Sequence, residues 1–600
     1  ELVFFRARRD WIEKLLPVGQ TRLVSGRVEL FDGRLQMAHP DHVLPLRETE
    51  TLPDFEPVYP LSQGVSQKLM HKAAGQALDL LPSFDEWHRS DLVEAGNWPT
   101  FSDALRSFHR PSQSAADRRE DPARTRLAYD ELLSHQLALA LVRARMRRGA
   151  GQSNTGDGAL RAAAEHAFGF APTGAQRRAV EEISADMSSP ERMLRLLQGD
   201  VGSGKTWVAM MAMLIAVEGG GQAALMAPTE ILARQHAEGL GGIASALGLD
   251  LVMLSGRDKG ATRSDKLARI SDGRAQIVVG THALFQPSVV FGALRLAVID
   301  EQHRFGVRQR LDLAAKAPKG ADVLVMTATP IPRTLALTGY GDLDFSILDE
   351  KPPGRLPVDT RTMSRERYPD VVARLGHALD EGSRCYWVCP AVEVTESGAF
   401  VSAEDRYGQI SKSLGAHRVG LVHGQMAPEE KDAAMRAFQD GKIQILVATT
   451  VIEVGVDVPE ATIMVIEQAD VFGLSQLHQL RGRVGRGAGR SSCLLLYDPP
   501  LGETAKARLD IMRSTEDGFR IAEEDLRIRG PGDFLGTVQS GAPKFAVADL
   551  DRDRALMERA RDDARLILHE DPALGSRRGK ALKTLLYLMK RDASVALMSA

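Results

Sequence analysis

Eight consecutive residues, Gly199-Asp200-Val201-Gly202-Ser203-Gly204-Lys205-Thr206, have the types and spacing of a phosphate-binding loop, G-x-x-x-x-G-K-[ST]. Gly199, Gly202, Ser203 and Gly204 let backbone N–H groups converge on an anion, and a following helix adds the partial positive charge of its N-terminus. Lys205 reaches the terminal phosphates of a nucleoside triphosphate, and the Thr206 hydroxyl can ligate magnesium. A second candidate is Asp300-Glu301, at the end of the apolar run Leu296-Ala297-Val298-Ile299. There Asp300 would hold magnesium through water, and Glu301 would orient or deprotonate the attacking water. A third is Gln479-Leu480-Arg481-Gly482-Arg483-Val484-Gly485-Arg486-Gly487. Arg483 and Arg486 are three apart, share one face of a helical start, and would serve as arginine fingers toward the γ-phosphate.

These groups meet only if particular elements carry them. The apolar run Met193–Leu197 before the loop reads as a strand, and Trp207 to Val217 after it as a helix. Residues 160 to about 345 alternate apolar strand and helix, and so do residues 355 to about 498. That alternation predicts two parallel α/β sheets with function at the carboxyl ends of their strands. Lys351-Pro352-Pro353-Gly354 reads as the hinge between them. Upstream, Leu2–Phe5, Arg22–Leu30 and Arg34–Met37 read as short strands of part of a small barrel, with a turn at Asp32-Gly33. Residues 62 to about 148 read as mostly helical, and Gly149 to Gly158 as a linker. The tail from 500 reads as helical, with a glycine-rich loop at Gly530-Pro531-Gly532.

Six hundred residues exceed one core. The expected division is a partial barrel (1–60), a helical linker region (61–155), a first α/β domain (156–348), a second (349–500) and a C-terminal hairpin with helices (501–600). A net charge of -3 argues against a protein that coats nucleic acid by charge alone. No uncharged apolar stretch is long enough for a membrane span. The three cysteines, Cys385, Cys389 and Cys493, lack a second pair for zinc and read as buried thiols of a reducing compartment. The chain opens at Glu1 as if within a strand, so a preceding segment is expected.

Further motifs fall in a fixed order: Phe170 to Gln176, Ala227-Pro228-Thr229-Glu230, Ser255-Gly256, Gly280-Thr281-His282, Thr327-Ala328-Thr329-Pro330, His423-Gly424-Gln425-Met426, and Ala448-Thr449-Thr450 to Gly455-Val456-Asp457. Together they resemble the superfamily-two helicases, and Asp300–Val307, Gln476–Arg483 and Asp517–Gly541 narrow the likeness to the RecG family of DNA helicases. The resemblance implies a multidomain α/β chain: two RecA-like parallel-sheet motor domains, a partial N-terminal OB-fold wedge and a helical C-terminal region. It implies ATP and magnesium as cofactors. Phe170 and Gln176 would read the adenine, and Gly455 and Asp457 would join the nucleotide site. Thr229, Ser255, Thr281, His423 and Thr449 would grip DNA phosphates, which positions a strand without reading its sequence. Arg508, Arg529 and Gln539 would link domain closure to duplex movement. Phe4 and Phe5 would stack on bases where strands part.

The implied activity is remodelling of branched DNA, forks and Holliday junctions, in repair and recombination. The implied setting is a bacterial cytoplasm near the nucleoid, as a monomer, with a single-stranded DNA-binding protein as a further partner and no membrane. Two departures stand out: Trp207 where a small aliphatic residue is usual, which should pack between helix and sheet, and Ser255 for threonine. Alternatives are a transcription–repair coupling translocase, an RNA helicase, and an ATP-gated binding module without turnover.

Overall fold

The computed structural model describes the chain except residues 6, 32, 53, 63, 111–120, 148–150, 301–319, 329–342, 353, 391–401, 450–457, 459, 486, 488, 539–544, 551 and 592–600. At residues 31, 51, 145–147, 285, 428 and 529–538 only the backbone is described. The chain divides into one unit of residues 1–131 with 574–585, and a second of 132–573 with 586–600.

In the first unit the N-terminal strands are short. Leu2–Val3 pairs in parallel with Arg34–Ala38, which pairs antiparallel with Val28–Phe31, and Arg22–Ser25 pairs antiparallel with His42–Pro45. They form a three-stranded and a two-stranded sheet. The run expected as one strand from Arg22 to Leu30 is broken at Gly26, where a Cβ would lie 2.9 Å from the Met37 sulfur. A helix not foreseen, Arg9–Leu15, follows the first strand. The helical part is organised by buried Asp130. It accepts hydrogen bonds from Trp87 Nε1 (2.7 Å), Arg126 Nε (2.9 Å) and His88 Nε2 (2.6 Å). The Arg126 guanidinium also lies over the Trp87 ring and donates to Glu86.

The second unit contains two parallel sheets. The first has the strand order Asp344–Leu348, Leu194–Gly199, Asp322–Thr327, Leu294–Ile299, Gln222–Met226, Ile277–Gly280, Leu251–Leu254. Its inner strands are apolar on both faces, as a sheet covered on both sides by helices requires. Alternate residues sort to opposite sides: Leu225, Ile277, Val298 and Met326 pack with the helix Lys205–Glu218, while Met226, Val278, Ile299 and Val325 form the other layer. That helix is apolar all round and correspondingly buried. Trp207 sits at 3 % exposure between helix and sheet, where the sequence places it.

The second sheet runs Val358–Ser364, Ser491–Tyr497, Ala461–Ile466, Arg384–Val388, Ile445–Ala448, Val419–Val422. The two sheets are the two parallel α/β domains that the strand–helix alternation predicts. All three cysteines are buried and free; Cys385 and Cys389 lie on or beside the central strand, and burial pushes the Cys493 thiol up to about 12.

The C-terminal region is helical, and one expectation fails there. Gly530-Pro531-Gly532 forms no loop; it lies inside a single helix, Gly518–Val538. Ile521, Ala522 and Leu526 are buried in the first turns of that helix. The fixed φ of proline is compatible with a helix, which loses one amide hydrogen bond there. Among the described residues no helix is long and apolar enough to cross a membrane.

Asp130→Ala would leave three buried donors without their acceptor, so the variant should lose about 3–5 kcal/mol, read as a lower urea midpoint by tryptophan fluorescence. Asp322, at the start of its strand, makes a pH prediction. Burial pushes its carboxyl up to about 7, against the Met193 N–H and the Asn154 amide, from 3.8. The folded chain therefore keeps a proton that the unfolded chain releases. The associated stability is full below about pH 4 and is lost as pH rises through about 7. Asp322→Asn should flatten this part of the melting temperature against pH profile, measured from pH 4 to 8.

Candidate nucleotide and coupling site

The phosphate loop follows the strand Leu194–Gly199 and feeds the helix that starts at Lys205. Gly204 has φ +86°, and a Cβ there would run into the Gln176 amide, so this position excludes side chains twice over. Gln176 is buried and fully engaged. Its Oε1 accepts from Thr173 N–H at 2.8 Å, closing a capping box at the start of the helix Gly174–Ser188, and its Nε2 donates to the Ser203 carbonyl at 2.9 Å. Gln176 thus braces the loop. Phe170 is half exposed and packs edge-on against Phe168, 5.6 Å between centroids.

Lys205 Nζ donates to the carbonyls of Gly199 (2.7 Å) and Asp200 (2.8 Å), which folds the ammonium over its own loop. The Ser203 hydroxyl is buried and has no hydrogen-bond partner. A buried hydroxyl without an acceptor, in a loop with the residue spacing of a phosphate-binding loop, fits a polyphosphate. Thr206 lies in the first turn of the same helix. Asp300 directly follows the strand Leu294–Ile299, is buried, and accepts from His236 Nε2 at 2.8 Å. Asp300 and Thr206 are an oxygen set suited to magnesium. Glu301, Gly455, Asp457, Arg486 and Gln539 lie outside the described residues, as does the side chain of Arg529.

The second sheet's loop reaches this site directly. Gly482, preceding Arg483, approaches Val201 so closely that a Cβ would lie 2.8 Å from the Val201 Cβ. Arg483 itself is buried there. Arg355, just after Lys351 to Gly354, donates from one guanidinium nitrogen to the Val201 carbonyl (2.8 Å) and from Nε to the Gly485 carbonyl (3.0 Å). Arg481 donates to the carbonyls of Met512 and Thr515 and to His478 Nδ1 (3.0 Å). Because arginine can only donate, His478 Nδ1 is the acceptor and Nε2 carries the proton. That Nε2 faces Asp200 Oδ1 at 3.2 Å, while the Gly518 N–H donates to Asp200 Oδ2 at 3.2 Å. Burial raises the Asp200 carboxyl, but His478, Gly518 and Lys205 outweigh it and hold it below the usual carboxylate range. Beside this junction lies a cleft of about 460 Å³ whose lining includes Asp200, Val201, Ser203, Arg355, Phe519 and Glu523.

The candidate DNA residues occupy the strand ends of both domains. Thr229 caps the helix Glu230–Ala246 by accepting from Leu232 N–H. Ser255 and Thr281 are buried, and each accepts from a backbone N–H two residues on. Thr449 N–H bonds the Val422 carbonyl, and His423 lies 3.5 Å from Glu404. Across the two domains, Arg257 bridges Glu230 (3.2 Å) and Asp432 (3.0 Å). Arg508 donates to the carbonyls of Asp470 and Phe472, so it anchors a short turn of the second domain. In the first unit Phe5 is 64 % exposed and packs on His39, whereas Phe4 is half-buried against Trp11.

Sequence reasoning missed Asp200, Arg355, His478 and His236 as positioning groups. Each stands in or beside a recognised motif, but nothing in its spacing names its partner.

Comparison with known proteins accords with this geometry. Residues 173–338 match the DEAD/DEAH box helicase family, 370–488 the helicase conserved C-terminal domain, and 515–596 the C-terminal part of domain 3 of the ATP-dependent DNA helicase RecG. The chain is 46% identical to the ATP-dependent DNA helicase RecG of Escherichia coli (strain K12), over 92% of this chain and 81% of that protein. Against its counterpart in Bacillus subtilis (strain 168) the identity is 43%, over 94% and 82%. A solved structure described as RecG bound to a three-way DNA junction superposes with a TM-score of 0.67 at 38% identity, over 93% of this chain and 73% of that one. With the phosphate-loop domain, the second parallel-sheet domain and the C-terminal region all matched, the chain belongs to the RecG family of ATP-dependent DNA helicases.

Proposed function

We propose that this helicase moves along double-stranded DNA and remodels branched substrates, regressing forks and migrating Holliday junctions in repair and recombination. The observation that carries the motor part is the contact of the phosphate loop with the second domain through Val201–Gly482 and Arg355. The branched-DNA part is supported by the likeness to RecG bound to a three-way DNA junction. The domain division of the sequence reading, 1–60, 61–155, 156–348, 349–500 and 501–600, assigns the wedge, linker, two motor domains and hairpin in that order.

In this reading ATP sits in the phosphate loop, with Lys205, Ser203 and the loop N–H groups on its phosphates. Phe170 lies toward the base, and Gln176 acts by holding the loop. Magnesium, held by Thr206 and Asp300, would supply charge neutralisation at the phosphates. Glu301 orients the attacking water. Arg483 and Arg486 bring positive charge to the γ-phosphate from the second domain, and Gly455 and Asp457 complete that side. Thr229, Ser255, Thr281, His423 and Thr449 hold the DNA backbone at the strand ends. Arg508, Arg529 and Gln539 tie the hairpin to the motor, and exposed Phe5 with Phe4 presents the stacking surface of the wedge. The protein works as a monomer in the bacterial cytoplasm near the nucleoid, with a single-stranded DNA-binding protein as a partner.

Lys205→Ala should abolish DNA-stimulated ATP hydrolysis, measured by phosphate release with forked DNA; normal stimulated turnover would refute the site. A synthetic fork should be unwound with ATP while a linear duplex is not, and equal action on both would remove the branched-DNA reading. Arg355→Ala loses one charged hydrogen bond across the domains, to the Val201 carbonyl, and one within the second domain, to the Gly485 carbonyl, so kcat/KM for stimulated hydrolysis should fall by about tenfold or more.

A further inference from the structure

Asp200 occupies a position of the phosphate loop that phosphate binding leaves open, because the loop grips anions through backbone N–H groups. A carboxylate beside a polyphosphate is electrostatically unfavourable unless its charge is engaged elsewhere. Here both oxygens are engaged, by groups far away in the chain. Oδ1 faces His478 Nε2 at 3.2 Å and Oδ2 faces the Gly518 N–H at 3.2 Å. Gly518 begins the helix Gly518–Val538. The backbone carbonyl of the same Asp200 holds the Lys205 ammonium at 2.8 Å. One residue therefore touches the phosphate-binding lysine with its main chain and the hairpin helix with its side chain.

The surroundings brace the same junction. His478 is kept in the Nε2–H form by Arg481, and Arg481 also donates to Thr515, three residues before Gly518. Glu516 accepts from the Val358 N–H and from Lys351 Nζ (2.6 Å), fixing the segment to the hinge. Gly518 is the close-approach point: a Cβ there would collide with Asp200 Oδ1 and stand 2.6 Å from His478 Nε2.

We propose that Asp200 is the positioning residue that couples the phosphate loop to the hairpin helix, so that displacement of the loop around Lys205 is transmitted to Gly518 through one carboxylate shared with His478. This rests on the motor reading above and adds its direct mechanical link. It requires no added charge at the hairpin and no contact between Asp200 and DNA.

The test uses the full chain and three variants. Gly518→Ala inserts a methyl group into the junction, His478→Leu removes the imidazole donor, and His478→Gln restores an N–H at a similar reach. For each, DNA-free ATP hydrolysis, fork-stimulated hydrolysis and base pairs unwound per ATP are measured. Gly518→Ala should keep its DNA-free kcat and its KM for ATP within about twofold, yet lose about tenfold in base pairs unwound per ATP. His478→Leu should lose the same ratio, and His478→Gln should recover most of it. Thermal melts identify any variant that fails to fold, and the His478 pair decides the matter if Gly518→Ala is such a variant. Unchanged base pairs per ATP in both Gly518→Ala and His478→Leu would overturn the proposal, as would equal losses in DNA-free hydrolysis and unwinding. A wild-type chain that neither responds to forked DNA nor unwinds it would instead overturn the motor reading, and that result is visible before any variant is compared.

Discussion

The phosphate loop has to lie against a second domain, and much of the molecule is arranged around that requirement. A glycine-turned loop at the end of a parallel strand can grip phosphates alone, but it cannot by itself bring charge from the far side. Here Val201 fits against Gly482, and Arg355 joins the Val201 and Gly485 carbonyls. These contacts join the second domain to the phosphate loop at Val201. Both sheets must then be rigid enough to hold them, which explains strands buried on both faces and a helix after the loop that is apolar all round.

The segment from Thr515 to Gly518 meets the phosphate loop, the hinge and the helix Leu474–Arg481 within four residues. Such a junction has little freedom to adjust one contact without the others. Long-range coupling needs an element with discrete arrangements that both sites bias. The part-buried Asp200 carboxylate, accepting from two directions, meets part of that need, because losing either donor leaves a partly desolvated charge underpaired. Arg257, bridging Glu230 to Asp432, ties the domains at a second point away from the phosphates.

Several residues are engaged differently from what their motif suggests. Gln176 spends its amide on Thr173 and Ser203, so its effect on nucleotide binding runs through the shape of the loop. Arg508 spends its guanidinium on the carbonyls of Asp470 and Phe472 and so fixes the turn that precedes the helix Leu474–Arg481. Thr229, Ser255 and Thr281 satisfy nearby backbone N–H groups with their hydroxyls. Hydroxyls of this kind stabilise the very loops that present backbone N–H groups at the strand ends.

By itself the sequence determined the local chemistry and the layers. A phosphate loop, an acidic strand end and a Gly–Arg run are short and contiguous, so their residue types are constrained by backbone geometry within a few positions. The two α/β repeats are equally legible, because strands covered on both faces must be continuously apolar. Trp207 could be placed for the same reason. The N-terminal strands are less legible, since strands of two to five residues carry little periodicity. The stretch Gly530-Pro531-Gly532 has the residue types of a loop, yet it lies within the helix Gly518–Val538, because local helix-breaking propensity does not alone decide an element's ends. Only the tertiary structure decided that Asp200 meets His478 and Gly518, that Arg355 spans two domains and that His236 holds Asp300. Those partners lie tens to hundreds of residues apart, and a hydrogen bond across such a distance leaves no periodicity or spacing in one chain to be read.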